Sequence, residues 1–206
     1  MVNKPLHLFV GPSASGKTTV ANELEKIETF GFSDNNFLTR VNPFKQVRSY
    51  TTRPPRYENE DGHVFITDEE FDKLTNIVAY TTYNGYRYCT TKEQLDAVNI
   101  YVVDINGVHT LFDNYITERQ IYIWYFDASV ITRINRMIDR HDSDSAIIGR
   151  LLNDESYDWY EKLNTLVDYY QTFKKKDNIQ LNRVDANKQL HEVVYIMQKI
   201  YGGVIQ

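Results

Sequence analysis

The feature that most constrains this chain is a glycine-rich loop near its amino terminus. Residues 11–18 read GPSASGKT, which matches the spacing G-x-x-x-x-G-K-[ST] of phosphate-binding loops. The apolar run over residues 6–10 predicts a buried strand before the loop, and the apolar spacing over residues 18–28 predicts a helix after it. A strand, a glycine loop and a helix start in this order aim backbone N–H groups and the positive end of the helix dipole at an anion. The sequence therefore predicts a loop that binds the phosphates of a nucleoside triphosphate.

Most positions in this loop have a predicted role. Gly11 and Gly16 leave space for phosphate against the main chain. Lys17 is predicted to neutralise the β- and γ-phosphates during catalysis, and the Thr18 hydroxyl is predicted to bind Mg²⁺. The other predicted ATP contacts come from the same loop and helix start, namely Ser13, Ala14, Ser15 and Thr19. We therefore expect ATP as co-substrate and Mg²⁺ as cofactor.

The composition narrows the partners that the chain can have. Its net charge of −5 argues against a general nucleic-acid binder but still allows a local arginine cluster that binds a small anion. Cys89 is the single cysteine, which excludes an internal disulfide and a cysteine zinc site and indicates a reducing compartment. The amino terminus has no apolar signal core, and no apolar run reaches transmembrane length. We expect a cytoplasmic protein without a nucleic-acid or membrane partner; nothing in the sequence indicates its oligomeric state.

A second candidate site is an arginine-bearing turn. Residues 44–50 alternate well enough to predict a strand, which leads into the segment TTRPPR. Two prolines stiffen this turn and set the spacing of Arg53 and Arg56. Guanidinium groups bind phosphate through paired, charge-assisted hydrogen bonds. Taken alone, such a turn is more often a solvated surface feature, because arginines are usually exposed.

In combination with the glycine loop, this turn resembles the signature of guanylate kinases. That signature is a strand ending in serine, then T-T-R-x-P-R, then an acidic-Gly pair and an aromatic residue; residues 47–56 with Asp61, Gly62 and Phe65 are similar to it. Weaker agreement extends to about residue 185. The resemblance implies a P-loop kinase that moves the γ-phosphoryl group of ATP to GMP with Mg²⁺. It also implies an α/β fold with a three-layer α/β/α core, a parallel sheet, a small inserted monophosphate-binding lobe and a mobile lid.

We interpret residues 1–206 as a single guanylate-kinase-like domain. The predicted core comprises 1–44 and 99–206, the lobe covers about 45–98, and the lid covers about 136–150. Capping residues and apolar periodicity predict helices over 67–74, 91–98, 129–139, 146–173 and 186–201. Further patterns predict a hairpin over 77–90 with an Asn-Gly turn, and strands over 100–105, 120–126 and 179–182.

The resemblance assigns the acceptor-binding residues. Arg53 and Arg56 would bind the acceptor phosphate, and Ser49 would contact the base. In the segment Tyr-Cys-Thr, the Tyr88 hydroxyl would bond the phosphate and the Thr90 hydroxyl the base. One further residue, Asp104, ends a predicted buried strand, where it could orient Mg²⁺-bound water beside the acceptor or only cap a helix.

The chain departs from the guanylate kinase pattern at several acceptor positions. Asn59 stands in place of a signature glutamate, with an acidic residue on either side of it. His63 and Val64 fill the gap in which the family carries a phosphate-binding tyrosine, and Cys89 replaces a glycine. Counting back from the hairpin places Ala79 where the family has the glutamate that reads guanine. The identity of the acceptor base therefore stays open.

The predicted lid follows the strand at 120–126. Arg136, Arg140 and Arg150 match the family's lid arginines, which close over the triphosphate and stabilise charge on the transferring group. Arg133 does not match by position, and a helix with a solvated basic face is the alternative interpretation. Near the carboxyl terminus, Asn182 matches an asparagine near the adenine, and residues 174–176, all lysine, read as a solvated helix end.

The sequence thus predicts an ATP-dependent nucleoside monophosphate kinase with GMP or dGMP as acceptor. One alternative is a related kinase for another nucleotide or a sugar phosphate, which Ala79 and the missing tyrosine favour. A second alternative is a non-catalytic interaction module on the same fold. Intact Lys17 and Thr18 and the lid arginines argue against that module, because a scaffold has no need of them.

Overall fold

The computed structural model describes residues 4–32, 38–41, 43–55, 58–155 and 158–202. Its strands are β1 Leu6–Val10, β2 Thr29–Phe32, β3 Leu38–Val41, β4 Tyr50–Thr51, β5 Val64–Phe65, β6 Ile77–Tyr83, β7 Tyr86–Thr91, β8 Ile100–Val102, β9 Ile121–Asp127 and β10 Ile179–Asp185. Its helices are α1 Lys17–Glu25, α2 Asp68–Phe71, α3 Lys92–Asp96, α4 Ile105–Asn114, α5 Val130–Asp139, α6 Asp144–Glu155, α7 Trp159–Lys174 and α8 Leu190–Gly202.

A parallel sheet with the strand order β10-β9-β1-β8 forms the centre of the molecule. In this register Leu8 pairs with Tyr101 on one side and with Ile123 on the other. Because all four strands run the same way, their carboxyl ends meet at one edge of the sheet. Ligands bind at that edge in open α/β sheets. The glycine loop follows β1, α4 follows β8, and α5 follows β9, so all three begin at this edge.

Alternating side chains of the sheet divide the core into two apolar clusters. Leu8, Ile123 and Tyr125 pack with residues of α4 and α7 on one face. Phe9, Trp124 and Phe126 alternate with them and pack with residues of α1 and α8. The helices therefore cover both faces, as parallel strands require. The predicted α/β fold with a parallel central sheet in a three-layer core is confirmed.

A second sheet lies within the range predicted for the lobe, with the order β5-β4-β7-β6. The hairpin of β6 and β7 turns at Asn84 and Gly85, whose φ angles of 50° and 78° fit the Asn-Gly turn that the sequence predicts. Capping boxes begin α2 at Thr67 and α3 at Thr91. Val78 and its neighbours in this sheet belong to the same buried cluster as the central sheet. The second sheet is thus continuous with the main core.

The predicted strand over 44–50 is largely wrong. The structure has only β4 and one isolated bridge between Gln46 and Ile100 in this region. The Gln46 backbone N–H donates instead to the Glu25 carboxylate at 2.7 Å. The Glu25 side chain of α1 thereby occupies a backbone donor that a longer strand would use to pair with its neighbouring strand.

The predicted single helix over 146–173 is two helices, α6 and α7. Asp158 accepts a hydrogen bond from the Glu161 backbone N–H at 3.3 Å, so it caps a new helix start. Helix α4 was not predicted; its cap is Asp104, whose carboxylate accepts from the Gly107 N–H at 2.7 Å. Strand β10 extends three residues past the predicted end, to Asp185, and α8 begins later than expected.

The lysines at the end of α7 differ from one another. Lys175 adopts a left-handed conformation with φ 56° and ends the helix. Lys176 then turns inward and donates from Nζ to the carbonyl oxygens of Phe112 and Tyr115. Those carbonyls belong to the last turn of α4 and its cap, which lack partners within the helix. The prediction of a solvated end is therefore wrong for Lys176.

Within the described ranges, none of the helices has both the length and the apolar character that crossing a bilayer requires.

Candidate active site

The phosphate-binding loop has the backbone that its glycines predict. Gly16 has a φ of +99°, and a Cβ on Gly11 would lie 2.7 Å from the Phe126 carbonyl oxygen. Gly16 is also the N-cap of α1, where a glycine has no side chain to accept a hydrogen bond. The first backbone N–H groups of α1 therefore receive no cap from this residue and are available to an anion.

Lys17 lies folded over the loop. Its Nζ donates to the carbonyl oxygens of Gly11 and Pro12, both at 2.7 Å, and to the Ser15 hydroxyl at 3.3 Å. Burial lowers the pKa of Lys17 to about 8, while the carboxylate of Asp154 acts in the opposite direction. A bound phosphate would favour the charged ammonium and raise this pKa again. Lys17 thus holds its ammonium group against the glycine loop.

A pocket of about 420 Å³ opens beside the loop. Its size falls within the range of small-molecule sites. The lining includes the predicted loop residues Ala14, Ser15, Gly16, Thr18 and Thr19, the lid residues Arg136 and Arg140, and Ala186, Lys188 and Leu190. The structure therefore brings the loop and two of the lid arginines together around one cavity.

Asn182 is not part of this pocket. It lies in β10, three residues before the strand ends, and its Oδ1 accepts a hydrogen bond from Gln180 at 3.0 Å. The residues that line the pocket on this side, Ala186 and Lys188, follow the end of the strand. The role of Asn182 as an adenine contact therefore stays a prediction.

The three predicted lid arginines have different partners. Arg136 donates to the carbonyl oxygens of Ser15 at 3.1 Å and Ala186 at 2.7 Å, so it joins the loop to the segment after β10. Arg140 and Arg150 both pair with Asp142, at 2.5 Å and 2.9 Å. Two guanidinium groups thus converge on one carboxylate and leave a net positive charge for an anionic ligand.

On the second sheet, Arg53 forms a nearly buried ion pair with Glu60. The two nitrogens NH1 and NH2 reach the two carboxylate oxygens at 3.2 Å and 2.8 Å, and the side chains are 9% and 7% exposed. Such a bidentate contact fixes the guanidinium plane. Glu60, and not the neighbouring Asn59, therefore supplies the acid that accompanies the arginine turn. Arg56 lies outside the described residues.

His63 is a candidate residue that sequence reasoning did not assign. Its Nδ1 lies 2.9 Å from the Ser49 hydroxyl, and its ring meets Tyr88 edge-on at 5.6 Å between centroids. Ser49 and Tyr88 were both predicted to contact the acceptor, so three candidate groups lie together. The only signal in the sequence was the place of His63, in the gap where a phosphate-binding tyrosine was expected. Thr90, the other predicted base contact, has no exposed surface.

Asp104 acts as the cap that the sequence left as one of two alternatives. Its Oδ1 accepts from the Gly107 N–H, and its Oδ2 accepts from the Thr81 hydroxyl at 2.8 Å. Burial raises the pKa of Asp104, although these hydrogen bonds oppose the shift. Asp104 also contributes to the electrostatic environment of Lys17, so its charge lies at the same edge of the sheet.

Among curated proteins, the chain is similar to a guanylate kinase from Clostridium tetani (strain Massachusetts / E88). It is 27% identical to this chain over an alignment 221 positions long, and the alignment covers 92% of this chain and 97% of the relative. The resemblance to guanylate kinases is confirmed. No model of a protein family matches the chain.

Two solved structures that are similar to the chain are a guanylate kinase and a deoxyadenosine kinase. The guanylate kinase from Anaplasma phagocytophilum has a TM-score of 0.49 at 14% identity, covering 98% of this chain and 87% of that protein. The deoxyadenosine kinase from M. mycoides with bound dATP has a TM-score of 0.40 at 14% identity, covering 95% of this chain and 98% of that protein.

The structure shows the surroundings of Ala79, one of the positions at which the sequence departs from the guanylate kinase pattern. Ala79 is fully buried in the main apolar cluster and pairs with Thr90 across the hairpin. Thr81 is two positions further along the strand, on the same side, and contacts Asp104. This side of β6 therefore holds a small side chain at Ala79 and a hydroxyl side chain at Thr81.

The residues present fit a magnesium ion that is held mainly through water. No group of three His, Cys, Asp or Glu side chains suited to a metal occurs in the part of the chain that the structure describes. Magnesium at phosphates typically keeps several waters and takes few protein ligands. Thr18, in the first turn of α1, and Asp104 supply oxygen donors of that kind.

Proposed function

We propose that this chain is an ATP-dependent nucleoside monophosphate kinase whose preferred acceptor is GMP or dGMP. The observation that carries the proposal is the phosphate-binding loop with Lys17 over it, opening into a pocket that Arg136 and Arg140 line. The similarity to the Clostridium tetani guanylate kinase supports the same reaction. The lone Cys89 is buried, and it supports our proposal that the enzyme works in the reducing cytoplasm.

In the proposed reaction, an oxygen of the acceptor phosphate attacks the γ-phosphorus of ATP. The bond from that phosphorus to the β–γ bridging oxygen breaks, and ADP leaves. The loop N–H groups and Lys17 hold the β- and γ-phosphates, while Arg140 and Arg150 stabilise charge on the transferring group. Mg²⁺, which Thr18 and water on Asp104 would hold, supplies further neutralisation of phosphate charge when it is bound. Catalysis consists of positioning and charge stabilisation, without a covalent intermediate.

For the acceptor, we place the phosphate at Arg53, Arg56 and Tyr88. The pair with Glu60 holds the Arg53 guanidinium in one orientation, which lowers the entropy lost when phosphate binds. Ser49, in contact with His63, is the candidate base contact. Because Ala79 supplies no carboxylate, we expect weaker discrimination of GMP against AMP than two charge-assisted contacts would give.

A second candidate function is phosphoryl transfer to another nucleotide or to a sugar phosphate. The buried Ala79 and the histidine in place of a tyrosine favour it, since both change the acceptor side and leave the ATP side unchanged. A non-catalytic interaction module is disfavoured, because the loop and two of the lid arginines, Arg136 and Arg140, line one pocket.

The test is phosphoryl transfer from ATP across a panel of acceptors, measured as ADP release. The panel contains GMP, dGMP, AMP, CMP, UMP and several sugar phosphates, with Lys17→Ala as the control for contaminating kinases. Highest kcat/KM with GMP or dGMP supports the main proposal. Highest kcat/KM with another acceptor supports the second candidate, and transfer to none of them contradicts both.

A further inference from the structure

A buried ion pair lies beside the phosphate-binding loop. Arg133 of α5 donates from NH1 to Oδ2 of Asp154 of α6 at 2.9 Å, and the two side chains are 4% and 7% exposed. Neither residue has a role in the reaction as proposed above. Burying two charges costs desolvation energy that their attraction often fails to offset, so an apolar pair would serve stability as well or better. The pair therefore needs an explanation other than stability.

The same carboxylate oxygen also binds the phosphate-binding loop. Asp154 Oδ2 accepts a hydrogen bond from the backbone N–H of Ser13 at 2.9 Å. The next residue, Ala14, has a φ of +59°, in the left-handed region that residues with a Cβ rarely adopt. A conformation of this kind persists only when its surroundings hold it in place.

Contacts hold this strained turn from both sides. Asp154 accepts a hydrogen bond from the Ser13 N–H, just before Ala14. Arg136 donates to the carbonyl oxygens of Ala14 at 3.4 Å and Ser15 at 3.1 Å. A hydrogen bond from the Ser15 N–H to the Pro12 carbonyl at 3.3 Å closes the turn. Both α5 and α6 are thereby attached to the loop.

We propose that Asp154, oriented by Arg133, is a positioning residue that keeps the phosphate-binding loop in its ATP-binding conformation. Without an acceptor for the Ser13 N–H, the turn at Ala14 relaxes. The N–H groups of the loop then no longer point toward one phosphate. ATP then has to restore that conformation on binding and binds more weakly. The inference rests on the proposed function in one respect, namely that ATP is the ligand of this loop.

Two double variants separate this role from a structural one. Arg133→Met with Asp154→Leu removes both buried charges and the acceptor for the Ser13 N–H. Arg133→Met with Asp154→Asn also removes both charges but retains a side-chain oxygen that can accept the same hydrogen bond. Neither variant leaves one charge buried without its partner. Asp72→Asn, which breaks an exposed pair with Arg87, serves as a control.

The measurements are the Kd for Mg·ATP by calorimetry, the thermal midpoint, and KM for ATP beside KM for the acceptor. We expect the leucine variant to bind ATP about tenfold more weakly, as loss of one buried hydrogen bond predicts, with KM for the acceptor unchanged. The asparagine variant is expected to bind ATP within about threefold of the wild type, and the Asp72→Asn control is expected to match the wild type.

Equal ATP affinities in the two double variants would overturn the inference, because the oxygen acceptor would then have no effect on binding. If the leucine variant does not fold, the asparagine variant decides: binding close to that of the wild type supports the inference, and much weaker binding overturns it. A wild type that binds no ATP would contradict the proposed function and this inference together. If the wild type binds ATP and the two double variants bind it with equal affinity, only the inference is overturned.

Discussion

At the scale of single residues, the environment of Lys17 leads to a pH prediction. Burial lowers its pKa to about 8, so the free protein loses the ammonium charge as the pH rises above that value. Bound phosphate favours the charged form, so ATP binding must take up a proton at higher pH. We expect the affinity for ATP to fall between about pH 8 and pH 9.5, by up to about tenfold per pH unit. Calorimetry across this range measures it.

The control for this prediction is Lys17→Ala, in which the pH dependence should disappear along with most of the affinity. ATP itself is fully ionised in this range, so its own titration does not contribute. A wild-type affinity that stays constant to pH 9.5 would contradict this account, in which the buried Lys17 loses its charge in the free protein.

The ion pair of Arg53 with Glu60 determines how the acceptor arginine should be tested. Arg53→Ala would leave the carboxylate of Glu60 buried without its partner. Arg53→Lys keeps the charge but loses the planar, bidentate geometry. We expect Arg53→Lys to lower kcat/KM for the acceptor by about tenfold or more, with KM for ATP little changed. Steady-state kinetics with each substrate varied in turn would measure both effects, and a larger change for ATP would contradict the placement.

Ala79 leads to a stability prediction. It has no exposed surface and belongs to the main apolar cluster, so Ala79→Glu places a carboxylate in the core. We expect a cost of about 3 kcal/mol or more, which corresponds to a drop in thermal midpoint of about 6–12 °C. Thr82→Glu, on the exposed face of the same strand, is the control and should change the midpoint little. An Ala79→Glu protein with normal stability and tighter selection of GMP over AMP would show that the site admits a carboxylate at this position.

At the scale of helices and strands, the contact of Lys176 with α4 explains how two helices on one face of the sheet are joined. Its ammonium group supplies donors for carbonyls at the end of α4. We expect Lys176→Met to cost about 1 kcal/mol, or about 2–4 °C in thermal midpoint, because those carbonyls lose their partner. The neighbouring Lys174 is exposed, so Lys174→Met serves as the matched control in the same thermal melts. Equal midpoints for the two variants would contradict this account.

At the scale of the whole molecule, the site is assembled from elements that start at one edge of the central sheet. A ligand that bridges them stabilises the folded state by mass action. We expect Mg·ATP at about 100 times its Kd to add about 2.7 kcal/mol, which raises the thermal midpoint by about 5–11 °C. Lys17→Ala at the same ATP concentration should show little of this rise. A wild-type midpoint insensitive to ATP would contradict binding in the loop.

The features predicted correctly from the sequence are those in which the evidence is local along the chain. The phosphate-binding loop is contiguous, and its two glycines adopt the positive φ angles that the sequence pattern requires. The Asn-Gly hairpin turn and the capping threonines of α2 and α3 are local for the same reason. Alternating and periodic apolar residues likewise predicted the buried strands and most helices, because burial of one face requires that spacing.

Only the tertiary structure decided which partners the charged residues have. Glu25 interrupts the predicted strand at Gln46, Glu60 pairs with Arg53, and His63 contacts Ser49, none of which the spacing along the chain indicates. The strongest example is the contact between Ser13 and Asp154, which are 141 positions apart. A hydrogen bond or ion pair depends on distance in space, which packing of the helices against the sheet determines. Local preference and periodicity carry no information about that distance.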